Sequence, residues 1–337
     1  MIDGKTIAVT GAPGWLGTRL VEALRGAEGG WPKIAGARVR CLVQPGVDSS
    51  PLTALGADVV EADLSRPGNL SAALDGVEIV LHLAGLVHPK RISELYALNT
   101  EGTKRLLEAS AAAKVRRFVA VSSNSAAGVN ADPVIPLDES AQDPYMNYGR
   151  SKLLAEQAVM SEHASGVVEG VVVRPCWFYG PGQPARQTRF FKMIAAGNPI
   201  LFGTGDYLRS MSYVDNTVQG LILAAGLPRA AGQIYWIADE RPYAVNEIYC
   251  TIARLLDVKD FRPRRVPETV SRACRLTDEG LQAAGLYVPE VHVAGELIES
   301  ISCTIDKARR ELAYRPLVSL EEGMRRSIDW CRARGLL

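Results

Sequence analysis

The stretch Thr6-Ile-Ala-Val-Thr10-Gly11-Ala-Pro-Gly14-Trp-Leu-Gly17 decides the fold, because a short apolar run ends there in three evenly spaced glycines. The run is typical of a buried parallel strand, and leucines at helical spacing after it predict a helix from about Trp15 to Arg25. Glycine permits a sharp turn and a close approach of the backbone to a pyrophosphate, and the helix N-terminus supplies free N–H groups. The stretch therefore predicts a dinucleotide-binding turn with contacts from Gly11, Pro13, Gly14, Trp15, Leu16 and Gly17.

Strand and helix patterns alternate regularly through the first half of the chain. Further strands are predicted at about 38–43, 58–62, 78–83, 117–122 and 167–174, and helices at about 94–113 and 148–164. Such alternation implies a parallel sheet that is covered by helices on both faces. We therefore expect an α/β protein with a doubly wound parallel sheet of the Rossmann kind and a smaller, mostly C-terminal substrate-binding region.

The second half of the chain is less regular and richer in Pro and Gly. Helices are predicted at about 215–225, 245–256 and 320–334, with a strand at 233–238 that could return to the main sheet, whereas 258–301 fits no clear pattern. We expect residues 1–175 and about 212–238 to form the dinucleotide-binding domain. Residues 176–211 and 239–337 are then expected to form the substrate-binding region with its closing helices.

The composition excludes several classes of function. The formal net charge of the 337 residues is +1, so nothing favours nucleic acid or an anionic membrane surface as a partner. The six cysteines form no CxxC pair and have no histidine at metal-ligand spacing, which predicts reduced thiols and no metal. The sequence shows no secretory signal and no apolar run long enough to span a bilayer. We expect a cytoplasmic protein that acts on a small molecule and does not insert into membranes.

A tyrosine and a lysine stand four residues apart in Tyr148-Gly-Arg-Ser-Lys152 and share one face of a predicted helix. A phenol is a poor base at its ordinary pKa of about 10, but a nearby ammonium and an oxidised nicotinamide favour the phenolate and lower that pKa. The phenolate could then take the proton of a substrate hydroxyl while the carbon gives up hydride. Ser123, after a predicted strand, could hydrogen-bond the same oxygen. Ser123, Tyr148 and Lys152 are therefore the predicted catalytic residues.

These strings resemble those of the extended short-chain dehydrogenase/reductase family, often called the NAD-dependent epimerase/dehydratase family. The first strand ends in that family's TGxxGxxG rather than in GxGxxG, and Arg174-Pro175 with Tyr179-Gly180-Pro181 matches its nicotinamide side. The resemblance runs nearly end to end. It favours Ser123 over Ser122 as the catalytic serine, although Ser122 or Asn124 could share the role. It implies cofactor contacts from Asp63, Leu64, Leu83, Ala84, Gly85, Asn99, Ser122, Tyr148, Lys152 and Pro175.

The choice between NAD and NADP depends on the end of the second strand. An acidic residue there would bind the adenosine ribose and disfavour a 2′-phosphate. The strand ends in Leu42-Val43-Gln44-Pro45, without that acid and without an arginine. Gln44 could donate to either ribose, so the cofactor is predicted as NAD or NADP, with a slight preference for NADP.

Several polar residues are candidates for binding the substrate. Arg209 falls where sugar-nucleotide epimerases carry an arginine for the diphosphate, but Trp177 stands at the place of those enzymes' diphosphate-binding asparagine, and Trp donates only one hydrogen bond. His88 and Arg186 could belong to a cationic rim for a phosphorylated or carboxylated ligand. The predicted substrate-binding residues are His88, Asn124, Trp177, Arg186 and Arg209.

The resemblance leaves three functions open. The first is an NAD(P)-dependent oxidoreductase or epimerase that acts on a secondary alcohol or carbonyl, with a sugar or nucleotide sugar favoured as substrate. The second is a reductase like 3β-hydroxysteroid dehydrogenase or dihydroflavonol reductase, with a non-sugar substrate. The third is a non-catalytic NAD(P)-binding sensor or scaffold, although such proteins usually lose the tyrosine or lysine. The helices near 97–113 and 148–164 are the pair that relatives use for a two-fold dimer, so a homodimer is also left open.

Overall fold

The structure is a computed structural model that describes residues 2–66, 68 and 70–337. Its strands are β1 (Thr6–Thr10), β2 (Arg38–Val43), β3 (Asp58–Glu61), β4 (Ile79–His82), β5 (Arg117–Val121), β6 (Glu169–Pro175), β7 (Trp177–Tyr179), β8 (Ile200–Phe202), β9 (Leu208–Arg209), β10 (Met211–Tyr213), β11 (Gln233–Ile237), β12 (Tyr243–Ala244) and β13 (Arg264–Val266). Its α-helices are α1 (Trp15–Leu24), α2 (Ser50–Ala54), α3 (Leu70–Ala73), α4 (Ile92–Leu95), α5 (Thr103–Ala112), α6 (Met146–Ala164), α7 (Ala185–Ala195), α8 (Val214–Gly226), α9 (Val245–Leu255), α10 (Glu268–Ala283), α11 (Pro289–Glu296) and α12 (Leu320–Arg332).

In the described part of the chain, seven parallel strands form the main sheet in the order β3-β2-β1-β4-β5-β6-β11. The order reverses between β1 and β4, where the carboxyl ends of a doubly wound sheet leave a crevice for ligands. The predicted α/β fold with a doubly wound sheet is therefore confirmed. The predicted strand at 233–238 is β11, which joins the edge of this sheet beside β6.

The sheet is buried on both faces. All five residues of β1 are buried, with Ile7 and Val9 in one hydrophobic core and Ala8 in the other. This alternation follows from the strand period of two, and burial on both faces explains why the run reads as continuously apolar. Helices α1 and α8 cover one face, and α5 and α6 pack together against the other.

The predicted helix at 94–113 proves to be interrupted. It consists of α4, a π-helical segment over Tyr96–Gly102, and α5. Wide turns of this kind are frequent at functional sites, and this one carries Asn99. Its side chain turns toward the loop after β4.

The segment 258–301, for which the sequence showed no clear pattern, contains β13, α10 and α11. Helices α10 and α11 pack against each other, and α10 also contacts α6. Among the described residues, no helix combines the length and the apolarity that a membrane crossing requires. Within the same residues, no three His, Cys, Asp or Glu side chains come together as a metal site.

Candidate active site

The turn between β1 and α1 is packed so tightly that it requires glycine. Gly11 has φ of +81°, and a Cβ there would lie 2.6 Å from the backbone nitrogen of Ala84. A Cβ at Gly14 or Gly17 would lie 2.6 or 2.5 Å from the carbonyl oxygen of Gly11. No acidic residue occupies the first turn of α1, so its N-terminus is free to attract an anion. These close backbone contacts hold the turn directly in front of the N-terminus of α1, a place that fits a dinucleotide pyrophosphate.

The side chain of Trp15 packs away from this turn. Its Nε1 donates to the carbonyl of Pro181 at 2.7 Å, and its ring lies edge-on to Phe178 at 6.2 Å. Leu16 packs against the hydrophobic cores, and Pro13 is half-buried. Trp15 therefore joins the turn to the segment that follows β7, and its backbone is the part that remains for a cofactor contact.

The loop after β4, with Leu83, Ala84 and Gly85, is held by two polar side chains. Thr10 Oγ1 accepts from the backbone N–H of Ala84 at 3.1 Å. Asn99 accepts from the N–H of Leu86 at 2.7 Å and donates to the carbonyl of Leu86 at 2.9 Å. Asn99 thus fixes the loop on which a cofactor would lie.

His82 lies behind this loop as a buried, neutral imidazole. Thr103 donates its hydroxyl proton to the carbonyl of Asn99 at 2.6 Å, so His82 Nε2 is the donor in its 2.9 Å contact with Thr103. His82 Nδ1 then accepts from Thr10 at 2.8 Å. Burial, followed by the charge of Lys152, lowers the pKa of His82 to about 3. The arrangement holds the carboxyl ends of β1 and β4 together.

The residues expected near the adenosine lie along the ends of β2 and β3. Gln44 is exposed directly after β2. Asp63 accepts from the N–H and hydroxyl of Ser65 at 2.8 and 2.6 Å, and these hydrogen bonds lower the pKa of Asp63. Leu64 is buried, and its carbonyl accepts from Arg105 at 3.0 Å.

Ser123 and Tyr148 meet at the carboxyl end of β5. Ser123 follows β5 and is 8% exposed, and Tyr148 lies half-buried in the first turn of α6, where the side chain of Ser123 acts on the pKa of its phenol. Ser123 Oγ also donates to Asn124 Oδ1 at 3.1 Å. Lys152, one turn further along α6, donates from Nζ to the carbonyl of Val121 at 2.7 Å. The three side chains that the sequence predicts as catalytic thus gather around the end of one strand.

The pKa of Tyr148 lies above its ordinary value in this arrangement. Burial raises it, and the hydrogen bond with Ser123 and the charge of Arg186 lower it by less. The net direction is therefore opposite to the expected lowering, and burial is the cause. Burial also lowers the pKa of Lys152 to about 8, although Glu156 opposes this shift. A phenol with a raised pKa is protonated at neutral pH and can donate a hydrogen bond or a proton.

Two hydrophilic groups beside Ser123 have no hydrogen-bond partner. Ser122 Oγ and Asn124 Nδ2 are both buried without one. Unpartnered buried polar atoms are costly and mark places where a ligand or water completes the site. The predicted cofactor and substrate contacts at Ser122 and Asn124 are compatible with these unpartnered hydrogen-bonding groups. The predicted cofactor contact at Pro175 lies at the buried end of β6.

Helices α10 and α11 form one side of the candidate site, which is called the wall below and which the sequence did not indicate. Gln282 of α10 accepts from the backbone N–H and side chain of Asn147, the neighbour of Tyr148, at 3.2 and 3.0 Å. Gln282 also donates to Asp278 at 2.8 Å, and Asp278 contacts His292 of α11 at 2.8 Å. Burial lowers the pKa of His292, but the Asp278 hydrogen bond and the charge of Glu296 together raise it above its ordinary value. The Asn147–Gln282 and Asp278–His292 pairs join residues 135 and 14 positions apart, so no local pattern could have revealed them.

His88 and Arg186 are brought together, but His88 is not the cation that the rim hypothesis assumed. Arg186 Nη1 contacts His88 Nε2, and guanidinium can only donate, so this nitrogen is an acceptor. His88 Nδ1 then donates to the hydroxyl of Tyr287 at 3.0 Å. Burial, Arg186 and His292 all lower the pKa of His88. Tyr287, in the loop between α10 and α11, is a further site residue that the sequence did not indicate.

Arg209 and Trp177 also meet. The Arg209 guanidinium lies 4.9 Å from the centre of a Trp177 ring, and its Nη2 donates to the carbonyl of Glu296 at 2.6 Å. Its Nε and Nη1 are buried without partners, and the whole residue is 1% exposed. Arg209 is therefore an enclosed residue of the site region.

Comparison with known proteins identifies the family. The profile of the NAD-dependent epimerase/dehydratase family matches residues 7–238. An uncharacterised protein of Sinorhizobium fredii is 42% identical over 99% of this chain and 97% of its own. The 4-hydroxy-2-methyl-3-oxo-4-farnesyl-3,4-dihydroquinoline-1-oxide ketoreductase of Stigmatella aurantiaca is 29% identical over 94% of this chain and 93% of its own. The crystal structure of gox2253 is 25% identical, covers 99% of both chains and has a TM-score of 0.80.

Proposed function

Because the chain belongs to the NAD-dependent epimerase/dehydratase family, we propose that it is an NAD(P)-dependent reductase that interconverts a ketone and a secondary alcohol. The observation that carries this proposal is the meeting of Ser123 and Tyr148 at the end of β5, one helical turn from Lys152. The glycine turn at the neighbouring end of β1 supports it, since a cofactor pyrophosphate fits there. A non-catalytic sensor would not need a serine and a tyrosine placed together at this end of the sheet.

Ser123 and Tyr148 have different roles at the reacting carbon–oxygen bond of the substrate. A nicotinamide, when bound, supplies hydride to the substrate carbon or accepts it. Ser123 and Tyr148 hold the substrate oxygen by hydrogen bonds that strengthen as negative charge develops on it. Tyr148 gives its phenolic proton to that oxygen in the direction of reduction. Its raised pKa keeps the phenol protonated at neutral pH, which is the state that this direction requires.

The substrate class that we propose is a non-sugar ketone. The Stigmatella relative, at 29% identity over nearly its whole length, is named as a ketoreductase. Trp177 also favours a non-sugar ketone, because its indole cannot replace the asparagine amide that binds the diphosphate in sugar-nucleotide epimerases. The second candidate is a nucleotide sugar, and the observation that favours it is the pair of unpartnered nitrogens on Arg209.

The cofactor that we propose is NADP(H). Gln44 follows β2 as an exposed neutral residue, so no carboxylate repels a 2′-phosphate there. An epimerase would instead hold NAD that ends each cycle in its oxidised form, because the hydride taken from the substrate is returned to it. Mass spectrometry of the dinucleotide that co-purifies with the protein separates the two: tightly held NAD⁺ would favour the epimerase, and loosely held NADPH the reductase.

The reductase activity is tested by following NADPH and NADH oxidation with a panel of 3-oxo esters, cyclic ketones and long-chain ketones. We expect NADPH oxidation with at least one class, and a loss of about 10²- to 10⁴-fold in Tyr148→Phe. The control is dinucleotide affinity, which the variant should keep within a few-fold. Full turnover by Tyr148→Phe would contradict the proposed chemistry, and NADPH binding without any turnover in the wild type would favour a sensor.

A further inference from the structure

Arg209 is enclosed by an aromatic ring and an acidic residue, yet it keeps two N–H groups for a ligand. The indole of Trp177 covers one face of the guanidinium, and the carbonyl of Glu296 takes the hydrogen bond of Nη2 at 2.6 Å. Nε and Nη1 are buried and have no partner. Because the residue is 1% exposed, bulk water does not satisfy these two donors. A ligand oxygen beside them would complete the site.

The charge of Arg209 already faces a carboxylate within the chain. The carboxylate of Glu296 lies 3.9 Å from Nη1, and the side chain of Glu296 is only 12% exposed, so water screens this pair weakly. The carboxylate is too far from Nη1 for a hydrogen bond. Nη1 therefore lacks a hydrogen-bond acceptor, although its positive charge has a negative neighbour. A phosphate at Arg209 would face the Glu296 carboxylate at close range. A hydroxyl or carbonyl oxygen would accept the same hydrogen bonds without that repulsion.

We propose that Glu296 is a specificity-determining residue that makes the Arg209 subsite accept neutral oxygen atoms and reject nucleotide diphosphates. The proposal rests on the proposed function, because it names the substrate class of the same site. The substrate is then an uncharged ketone or alcohol that carries a second hydroxyl or carbonyl oxygen away from the reacting carbon. Glu296 ends α11, so the wall that the sequence did not reveal sets the choice of substrate.

The test uses uridine diphosphate as the probe and needs no turnover. Binding is measured by calorimetry on the full chain with a saturating nicotinamide dinucleotide, so that the glycine turn is filled. We expect no binding by the wild type at about 1 mM, and an affinity at least about tenfold higher for Glu296→Gln. Glu290→Gln removes the same charge from an exposed position on the same helix and should gain nothing. The double variant Glu296→Gln with Arg209→Gln should lose the gain.

Submillimolar binding of uridine diphosphate by the wild type would overturn the proposal. A natively folded Glu296→Gln, as judged by circular dichroism, that gains no affinity would also overturn it. Should that variant not fold, Glu296→Ala must show the same gain, and its failure to do so counts equally against the proposal. Failure to reduce any ketone counts against the proposed function alone, since the binding experiment involves no reaction.

Discussion

The glycine turn and the wall formed by α10 and α11 belong to the same site region, but different forces specify them. In the turn, backbone atoms approach so closely that a Cβ at Gly17 would lie 2.5 Å from a carbonyl oxygen. In the wall, side chains find partners far along the chain, as Gln282 does with Asn147 across 135 positions. The steric requirements of a local turn are therefore visible in a sequence, whereas long-range polar pairings are not.

The largest effect is expected from Gly17→Ala in the turn. The added Cβ would meet three backbone atoms of Gly11 and Ala12 at 2.5 to 2.8 Å, which cannot move as a flexible side chain could. We expect a loss of about 3 kcal/mol in the free energy of unfolding and a dinucleotide affinity about 100-fold weaker. Urea unfolding and fluorescence titration with NADPH measure the two effects. Unchanged affinity in the variant would show that the turn does not bind the cofactor.

Acid should reveal the buried histidine that holds the carboxyl ends of β1 and β4 together. The folded-state pKa of His82 is about 3 against an ordinary value of 6.5, so the unfolded chain binds the additional proton between these values. Stability is therefore present above pH 6.5 and is lost as pH falls toward 3, by about 2 kcal/mol between pH 7 and pH 5. Urea unfolding of His82→Gln should show a shallower decline over that range. An equally steep decline would mean that His82 is not kept neutral.

The histidine of the wall should behave in the opposite sense. Its pairing with Asp278 and the charge of Glu296 raise the folded-state pKa of His292 above its ordinary value. The resulting stabilisation is fully present below about pH 6.5 and is lost as pH rises through the raised pKa. His292→Gln should therefore lose more stability at pH 6 than at pH 8 in urea unfolding. The same loss at both pH values would show that the imidazole is not charged in the folded protein.

A change at the end of β2 should alter cofactor choice without affecting the wall. Gln44→Asp places a carboxylate where a 2′-phosphate is expected, so we expect the ratio of NADP to NAD affinity to fall by about tenfold. Gln44→Asn is the neutral control and should leave the ratio within about twofold. Titration of both variants with each dinucleotide gives the ratios. An unchanged ratio in Gln44→Asp would mean that the adenosine does not bind beside this residue.

The smallest effect is expected at a glycine of the wall that has no steric reason to be glycine. Gly280 lies exposed inside α10, and a Cβ there would meet nothing within 4 Å. Gly280→Ala should therefore stabilise the protein by about 1 kcal/mol in urea unfolding and leave dinucleotide affinity unchanged. Destabilisation would mean that the wall constrains its backbone as the turn does.

Much of the fold could be predicted because its signals are local. The apolar run of β1, the glycine spacing and the alternation of elements depend on neighbours in the sequence, and the doubly wound sheet followed from them. The gathering of Ser123, Tyr148 and Lys152 was also predictable, because parallel strands end on one edge of a sheet. The π-helical segment 96–102 and the wall were not, because they depend on contacts between distant side chains. The direction of the Tyr148 pKa was also missed, since burial in the folded protein decides it.

The central claim is that Tyr148 gives a proton to the oxygen of a carbon that receives hydride from a nicotinamide. Incubation with NADPH deuterated at C4 on the transferring face, together with the ketone panel, tests it most directly by mass spectrometry of the alcohol. We expect one deuterium on the carbinol carbon with the wild type and about 10²- to 10⁴-fold less product with Tyr148→Phe, at unchanged NADPH affinity. Equal product from Tyr148→Phe, or an alcohol without deuterium, would contradict the account.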